Sequence, residues 1–280
     1  MVKMKYSYSI SELNDKFYQN ELNNIAELII SDNQSIIEFP YKMISSLKNL
    51  KKLKFLCYNL REFSKSICTL NKLEKLEFFG VKIEYIPKEI KYLKNLKELK
   101  IHFSIINSFP NDIMFLENLK ELSLIEDNIK IFPKEICKLI NLEILTLLSN
   151  ELREIPEEIG ELINLKELNF AKNKLQILPK EIGKLVKLRK LDITDNELKY
   201  IPNEIKYLKK LNILLLQHNK NLHNIPTKDL GEMKKIKFLD EQLSIEKIIK
   251  KDFVSEDAFF VHYDLPERLY HEEFFRNFKI

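Results

Sequence analysis

The sequence predicts an α/β solenoid: a curved arc with a parallel β-sheet on its concave face and short 3-10 or α-helical turns on its convex face. Three observations support this prediction. Apolar residues recur with a constant step of 23 residues. Each step begins with a short alternation of apolar and polar residues, which is typical of a strand. Later in each step a proline is followed by an acid, which favours the start of a helical turn.

The repeat is regular through most of the chain. Starting from Leu50, steps of 23 residues reach a further series of leucines: Leu73, Leu96, Leu119, Leu142, Leu165, Leu188 and Leu211. Unit positions 1, 4, 6, 11, 14, 18 and 21 hold only Leu, Ile or Phe in the seven units that begin at Leu50 through Leu188. Because one unit cannot bury its apolar face alone, repetition of this length predicts stacked units with one shared core.

The start of each unit predicts one strand. In the unit that begins at Leu165, we expect Leu168 and Phe170 to face the core, while Glu167, Asn169 and Ala171 face outward. One such strand per unit gives a parallel sheet.

Two polar features predict the turns between elements. Position 9 is often asparagine, whose amide can donate to and accept from backbone groups that a turn leaves unpaired: Asn33, Asn150, Asn173, Asn196 and Asn219. Position 15 is proline in six consecutive units: Pro87, Pro110, Pro133, Pro156, Pro179 and Pro202. Because proline suits the first helical position and an acid follows two residues later, each convex segment is predicted to be a short helical turn.

The pattern LxxLxLxxNxLxxLPxxIxxLxN resembles the leucine-rich repeat, in the 23-residue class of many bacterial and plant intracellular proteins. The resemblance covers about residues 25–239. It implies that the position-9 asparagines form a ladder and that the chain is a non-enzymatic scaffold for protein–protein interaction.

Three regions follow from the extent of the repeat. We expect an N-terminal cap in residues 1–24, a solenoid of nine to ten units in 25–239, and an aromatic C-terminal cap in 240–280. The aromatic segment has an alternative interpretation as a dimerisation or docking element, which would make the chain a structural or self-associating protein. A monomer or a weak homo-oligomer through this segment is therefore expected.

An apolar patch is predicted on the concave face of the first half. There position 9 departs from asparagine, as Tyr58, Val81, Ser104 and Asp127. The outward strand position 7 in the same region is mostly apolar, as Leu56, Phe79, His102, Ile125 and Leu148, and Phe103 lies at the next position beside them. Exposed apolar patches often mark interfaces, so these six residues are predicted to bind a protein partner. The alternative is that they pack on each other or under the N-terminal segment.

Other function classes find little support in the sequence. None of the four glycines lies in a phosphate-binding loop, no catalytic constellation is recognisable, and His262, Asp264, His271 and Glu272 match no zinc spacing. We therefore expect no catalytic residues, no metal and no cofactor. A net charge of +4 with interspersed signs does not favour nucleic acid.

The location of the protein is predicted from similar absences. No apolar run is long enough for membrane insertion, and no signal peptide is visible, which favours a cytoplasmic protein. Secretion stays open if a leader had been removed. The odd number of cysteines predicts reduced thiols: Cys57, Cys68 and Cys137.

Overall fold

One parallel sheet runs through the part of the chain that the structure describes. The computed structural model describes residues 6–9, 12, 15–16, 24–31, 40–57, 60–223 and 237–239. Two compact units divide the chain, Met1–Gln242 and Leu243–Ile280, and the second lies outside the described residues. The predicted C-terminal cap in 240–280, Tyr58 and the predicted ladder residue Asn33 also lie outside them.

The sheet contains eleven strands among the described residues, and their spatial order is their order in the chain. The strands are β1 (Tyr6–Tyr8), β2 (Glu27–Ser31), β3 (Lys52–Leu56), β4 (Lys75–Phe79), β5 (Glu98–His102), β6 (Glu121–Ile125), β7 (Ile144–Thr146), β8 (Glu167–Asn169), β9 (Lys190–Asp192), β10 (Ile213–Leu215) and β11 (Lys237–Leu239). All neighbours are parallel, and from β3 to β10 each residue pairs with the residue 23 positions later, as Leu53 does with Leu76. The step in the sequence is therefore one turn of the solenoid.

The first strand lies outside the repeat. Tyr6 pairs with Leu28, so β1 extends the sheet beyond the first unit. The repeat spacing does not predict this strand, because it precedes the periodic leucines.

Short 3-10 helices form the opposite side of seven units: Lys65–Thr69, Lys88–Tyr92, Asn111–Phe115, Lys134–Lys138, Glu157–Glu161, Lys180–Lys184 and Asn203–Tyr207. An α-helix, α1 (Tyr41–Ser46), takes their place in an earlier unit. The prolines precede these helices as N-caps in extended conformation and do not occupy the first helical position that the sequence suggested. At this place the proline carbonyl accepts the first 3-10 hydrogen bond, as in the bond from Ile90 N–H to Pro87 (3.0 Å).

The core lies between the sheet and the 3-10 helices. Of the apolar positions that define the repeat, all are buried except Phe109, which is half-buried. Phe55 and Phe78 on adjacent strands stack with ring centroids 4.8 Å apart. Equivalent side chains thus meet in columns, as the constant step predicts.

Asparagines connect the turns in the second half. The Asn173 side chain accepts the N–H of Leu152 (3.0 Å) and donates to the carbonyl oxygens of Leu147 (2.8 Å) and Phe170 (3.0 Å). Asn150, Asn196 and Asn219 repeat this arrangement. The predicted ladder is confirmed for these four residues, and it satisfies buried backbone groups that would otherwise be unpaired.

Candidate functional site

The solvent side of the sheet, here called the outer face, carries the predicted patch. Alternation along each strand sends positions 3, 5 and 7 of a unit outward and positions 4 and 6 into the core, as in the burial pattern of β3 and β4. The first full units form strands of five residues, whereas β7 to β10 have three. The strands are therefore longest where the patch lies.

The apolar patch consists of Leu56, Phe79, His102, Phe103, Ile125 and Leu148. Strand register brings its centre together, because Phe79 pairs with His102 and His102 pairs with Ile125 on successive strands. The rings of Phe79 and His102 meet edge to face at 4.6 Å, and the rings of His102 and Phe103 lie 6.4 Å apart. Phe79, His102, Phe103 and Ile125 therefore lie side by side at the centre of the patch.

The patch is less exposed than the sequence suggests. His102 and Ile125 are 4% and 7% exposed, whereas the other four members are half-buried. Neighbouring side chains thus cover the two central residues, as the alternative of mutual packing anticipates. Leu56, Phe79, Phe103 and Leu148 keep surface that a partner could contact.

His102 contributes an uncharged ring. Burial, with smaller contributions from Lys100 and Lys54, lowers the pKa of His102 to about 3. Its Nε2 lies 2.8 Å from Ser123 Oγ, while Nδ1 is buried and has no hydrogen-bond partner within the described part of the chain. An imidazole with so low a pKa is a poor general base near neutral pH, so this His–Ser pair does not resemble a catalytic dyad.

Ion pairs lie beside the patch on the same face. Lys54 pairs with Glu77 (3.5 Å), and its Nζ also lies 4.4 Å from the centroid of the Phe79 ring. Lys100 pairs with Glu121 (2.6 Å) on the next strand. A cation over an aromatic ring is favourable by about 0.5–1 kcal/mol at an exposed site, so Lys54 helps to hold Phe79 in place.

Further columns of charge flank the strand starts. Glu143 lies between Lys166 and Lys120, and the hydrogen bond from Lys166 is the main cause of its lowered pKa. Glu74 lies in the same way between Lys97 and Lys51. These pairs form columns of mixed sign and no isolated basic stripe on this part of the face.

Several outward positions of the second half are polar, while Ile213 and Leu215 of β10 are apolar and half-buried. Asn169 and Asp192 accept the backbone N–H groups of Ala171 (2.9 Å) and Thr194 (3.1 Å), two residues further along the chain. Thr194 also donates to Gln217 on the neighbouring unit (3.1 Å). At unit positions 7 and 8, which carry the patch in the first half, the second half has mostly polar residues, among them Lys172, Thr194, Asp195 and Gln217.

Exposed apolar side chains away from the sheet were missed by sequence reasoning, which considered the outward strand positions alone. Ile140, Ile163 and Val186 occupy unit position 22 in three successive units and are each about half exposed. Tyr92 and Phe115 project from neighbouring 3-10 helices. The sequence does contain a signal for this column, because the equivalent position 22 is polar in the three preceding units, as Asn71, Lys94 and Glu117.

Neither a metal site nor a membrane span is found in the described regions. No group of three His, Cys, Asp or Glu side chains there could hold a metal ion. No helix there is long and apolar enough to cross a membrane. Cys57, Cys68 and Cys137 are buried and reduced, and burial raises the pKa of Cys68 and Cys137 to about 12.

Comparison with known proteins points to one class. The model of a leucine-rich repeat region matches residues 155–256. No curated protein matches the chain. A leucine-rich-repeat protein of Leptospira interrogans has a similar solved structure with 28% identity and a TM-score of 0.67, and the match covers 84% of this chain and 70% of that one.

Two other solved structures extend the comparison. A plant peptide hormone receptor, RGFR1, in complex with RGF2, is 25% identical with a TM-score of 0.67; the match covers 84% of this chain but 38% of the receptor. An internalin of Listeria monocytogenes, 18% identical, shares the fold with a TM-score of 0.64 over 80% of this chain and 69% of the internalin. Proteins of different kinds thus share this fold, and a fold alone does not define a partner.

Proposed function

We propose, from the premise that this chain is a leucine-rich-repeat protein, that it is a non-enzymatic scaffold which binds a protein partner on the outer face of its sheet. The observation that carries the proposal is the apolar patch, in which Phe79, His102 and Ile125 lie beside each other on neighbouring strands. Aromatic side chains are enriched among the residues that dominate binding energies. Phe79 and Phe103 are the aromatic anchors of this surface.

The geometry of the patch favours recognition over stability alone. A parallel strand pair places outward side chains about 4.8 Å apart, so Leu56 and Phe79 form a surface with the rings beyond them. Lys54 and Lys100 are held by Glu77 and Glu121 at its border. An apolar centre with a charged rim is the usual anatomy of a protein interface.

The comparisons support a protein partner in general terms. The solved structure of the plant peptide hormone receptor is a complex with RGF2, so it is an example of the same fold used for binding. Leucine-rich-repeat proteins are typically scaffolds and carry no catalytic centre in the repeats. The choice of the outer face for this chain is our proposal and depends on the patch.

Capture experiments with matched variants test the proposal. We expect the full-length protein to capture a partner from a lysate of its source. Phe79→Asp should reduce this capture at least about tenfold, because binding would remove water from the carboxylate that the substitution introduces. Leu148→Asp should weaken capture in the same direction. Circular dichroism should show that both variants remain folded.

Two control variants carry the same chemical change on other surfaces. Tyr92→Asp alters a 3-10 helix, and Ile163→Asp alters the exposed column at position 22. Both should capture the partner as well as the wild type. Retention of the partner by folded Phe79→Asp, together with its loss in either control, would place binding elsewhere and overturn the proposal.

A further inference from the structure

A buried acid interrupts the asparagine ladder at the border between the two halves. Asp127 occupies unit position 9, where the next four units have asparagine. Its Oδ1 accepts the N–H of Ser104 (2.8 Å), and its backbone oxygen accepts the N–H of Ile106 (3.1 Å). The residue is fully buried, and its second carboxyl oxygen, Oδ2, has no hydrogen-bond partner among the described residues.

The next unit shows what this oxygen replaces. Asn150 donates from its amide nitrogen to the carbonyl oxygens of Leu124 (2.9 Å) and Leu148 (3.2 Å). The equivalent carbonyl groups one unit earlier belong to Ile101 and Ile125. A carboxylate has no hydrogen to donate, so only the protonated acid can reproduce the bond that an asparagine makes here.

The charged groups around Asp127 do not favour its ionised form. The preceding turn, residues 103–107, contains no ionisable side chain. On the following turn Glu151 is engaged by Lys174 (2.8 Å), and the adjacent Glu126 is itself acidic, with a pKa that burial raises and Lys172 lowers in part. Burial therefore raises the pKa of Asp127 well above its ordinary value, the Ser104 N–H lowers it in part, and Glu126 raises it further.

We propose that Asp127 is a proton-dependent joint in the solenoid, which closes the ladder between two turns as the neutral acid and loosens these turns as the carboxylate. The folded chain binds this proton more tightly than the unfolded chain does. The contribution of Asp127 to stability is therefore fully present below the unfolded pKa and decreases as the pH rises above it.

The joint adjoins the apolar patch. The N–H of Phe103 donates to the carbonyl oxygen of Ile125 (2.7 Å), and both residues border the turns that Asp127 connects. Ionisation of Asp127 would thus alter the position of Phe103 relative to Ile125. This effect on binding rests on the function proposed above, whereas the joint itself does not.

Hydrogen exchange of the full chain without any partner tests the joint. Exchange rates would be measured from pH 5 to pH 8 and corrected for the intrinsic effect of pH. In the wild type, protection of the Ser104 and Ile106 amides should fall at least about tenfold over this range. A factor of about ten is expected for each pH unit over which the closed turns still hold the proton that the opened turns have lost. Protection of the Leu175 amide, which Asn196 binds, should change by less than about twofold.

Two variants make the result specific. Asp127→Asn restores the residue that the repeat uses here and should abolish the pH dependence at Ser104, while Asp195→Asn, on the outer face, should leave it intact. Constant protection of Ser104 in the wild type, or an equal loss in Asp127→Asn, would overturn the joint. Failure of the joint leaves the capture result with Phe79→Asp unaffected, so the two proposals can fail separately.

Discussion

Removal of the Asn173 side-chain amide should lower the free energy of unfolding, because buried backbone groups lose their hydrogen-bond partners. In Asn173→Ala, Leu152 N–H loses the side-chain oxygen that accepts it, and the carbonyl oxygen of Leu147 loses a donor. The carbonyl oxygens of Phe170 and Ala171 also lose bonds from this amide, but each keeps a second donor, Asn196 and the Ser149 N–H respectively. Two buried groups are therefore affected most.

The magnitude follows from these two groups. Each buried group without a partner costs about 1–3 kcal/mol, which gives about 2–6 kcal/mol for the pair. Water that enters the space left by the amide relieves part of this cost. We expect the free energy of unfolding to fall by about 3 kcal/mol.

Urea denaturation followed by far-ultraviolet circular dichroism at pH 7 measures this difference. The control is Asn212→Ala, because Asn212 is exposed and precedes a strand; it should change the free energy by less than about 0.5 kcal/mol. If Asn173→Ala lost no more stability than this control, the ladder would not hold the turns together and the reasoning would be wrong.

Three further perturbations address packing, backbone conformation and pH. A Cβ at Gly183 would lie 2.6 Å from the carbonyl oxygen of Glu204. Gly183→Ala should therefore destabilise the fold by about 1–3 kcal/mol and lower the melting temperature. An unchanged melting temperature would contradict this close approach. Lys172 has a φ of 54°, in the left-handed region that costs a non-glycine residue about 1–2 kcal/mol. Lys172→Gly should therefore raise the melting temperature, and a decrease would refute this explanation. Because His102 is neutral in the fold with a pKa of about 3, stability should fall as the pH drops below about 6.5, by up to about 1.4 kcal/mol per unit. His102→Gln should flatten this fall in urea titrations at several pH values, and an identical slope in the variant would exclude His102 as its source.

The shared core and the sheet could be predicted because each depends on a local pattern that recurs. One unit specifies which side chains face inward, and the constant step makes equivalent residues meet, as Leu53 and Leu76 do. The same argument predicted the ladder of Asn150 and its three successors. Phe79 and Leu148 were likewise placed on the outer face by alternation alone.

The turns after the strands could not be predicted in this detail. Unit position 8 has a positive φ in seven successive units, where the residues are Gly80, Phe103, Glu126, Ser149, Lys172, Asp195 and His218. Only the first is glycine, so the sequence gives no signal for a left-handed conformation. Hydrogen bonds to the next unit impose it, as in the bond from Lys172 N–H to Thr194 (2.8 Å).

The depth of the patch was also beyond sequence reasoning. Alternation assigns His102 and Ile125 to the outward side, but their burial depends on side chains of adjacent strands. Phe79 covers one side of His102, and Ser123 bonds to its ring. Such contacts join residues about 20 positions apart and are specified only after the register is known.

Photo-crosslinking from single positions tests the central claim most directly. A photoreactive phenylalanine analogue would replace Phe79 in one sample and Tyr207, on a 3-10 helix, in another, each mixed with the captured partner. The account predicts a crosslink to the partner from position 79 and none from position 207. A crosslink from position 207 with none from position 79 would show that the outer face of the sheet is not the binding surface.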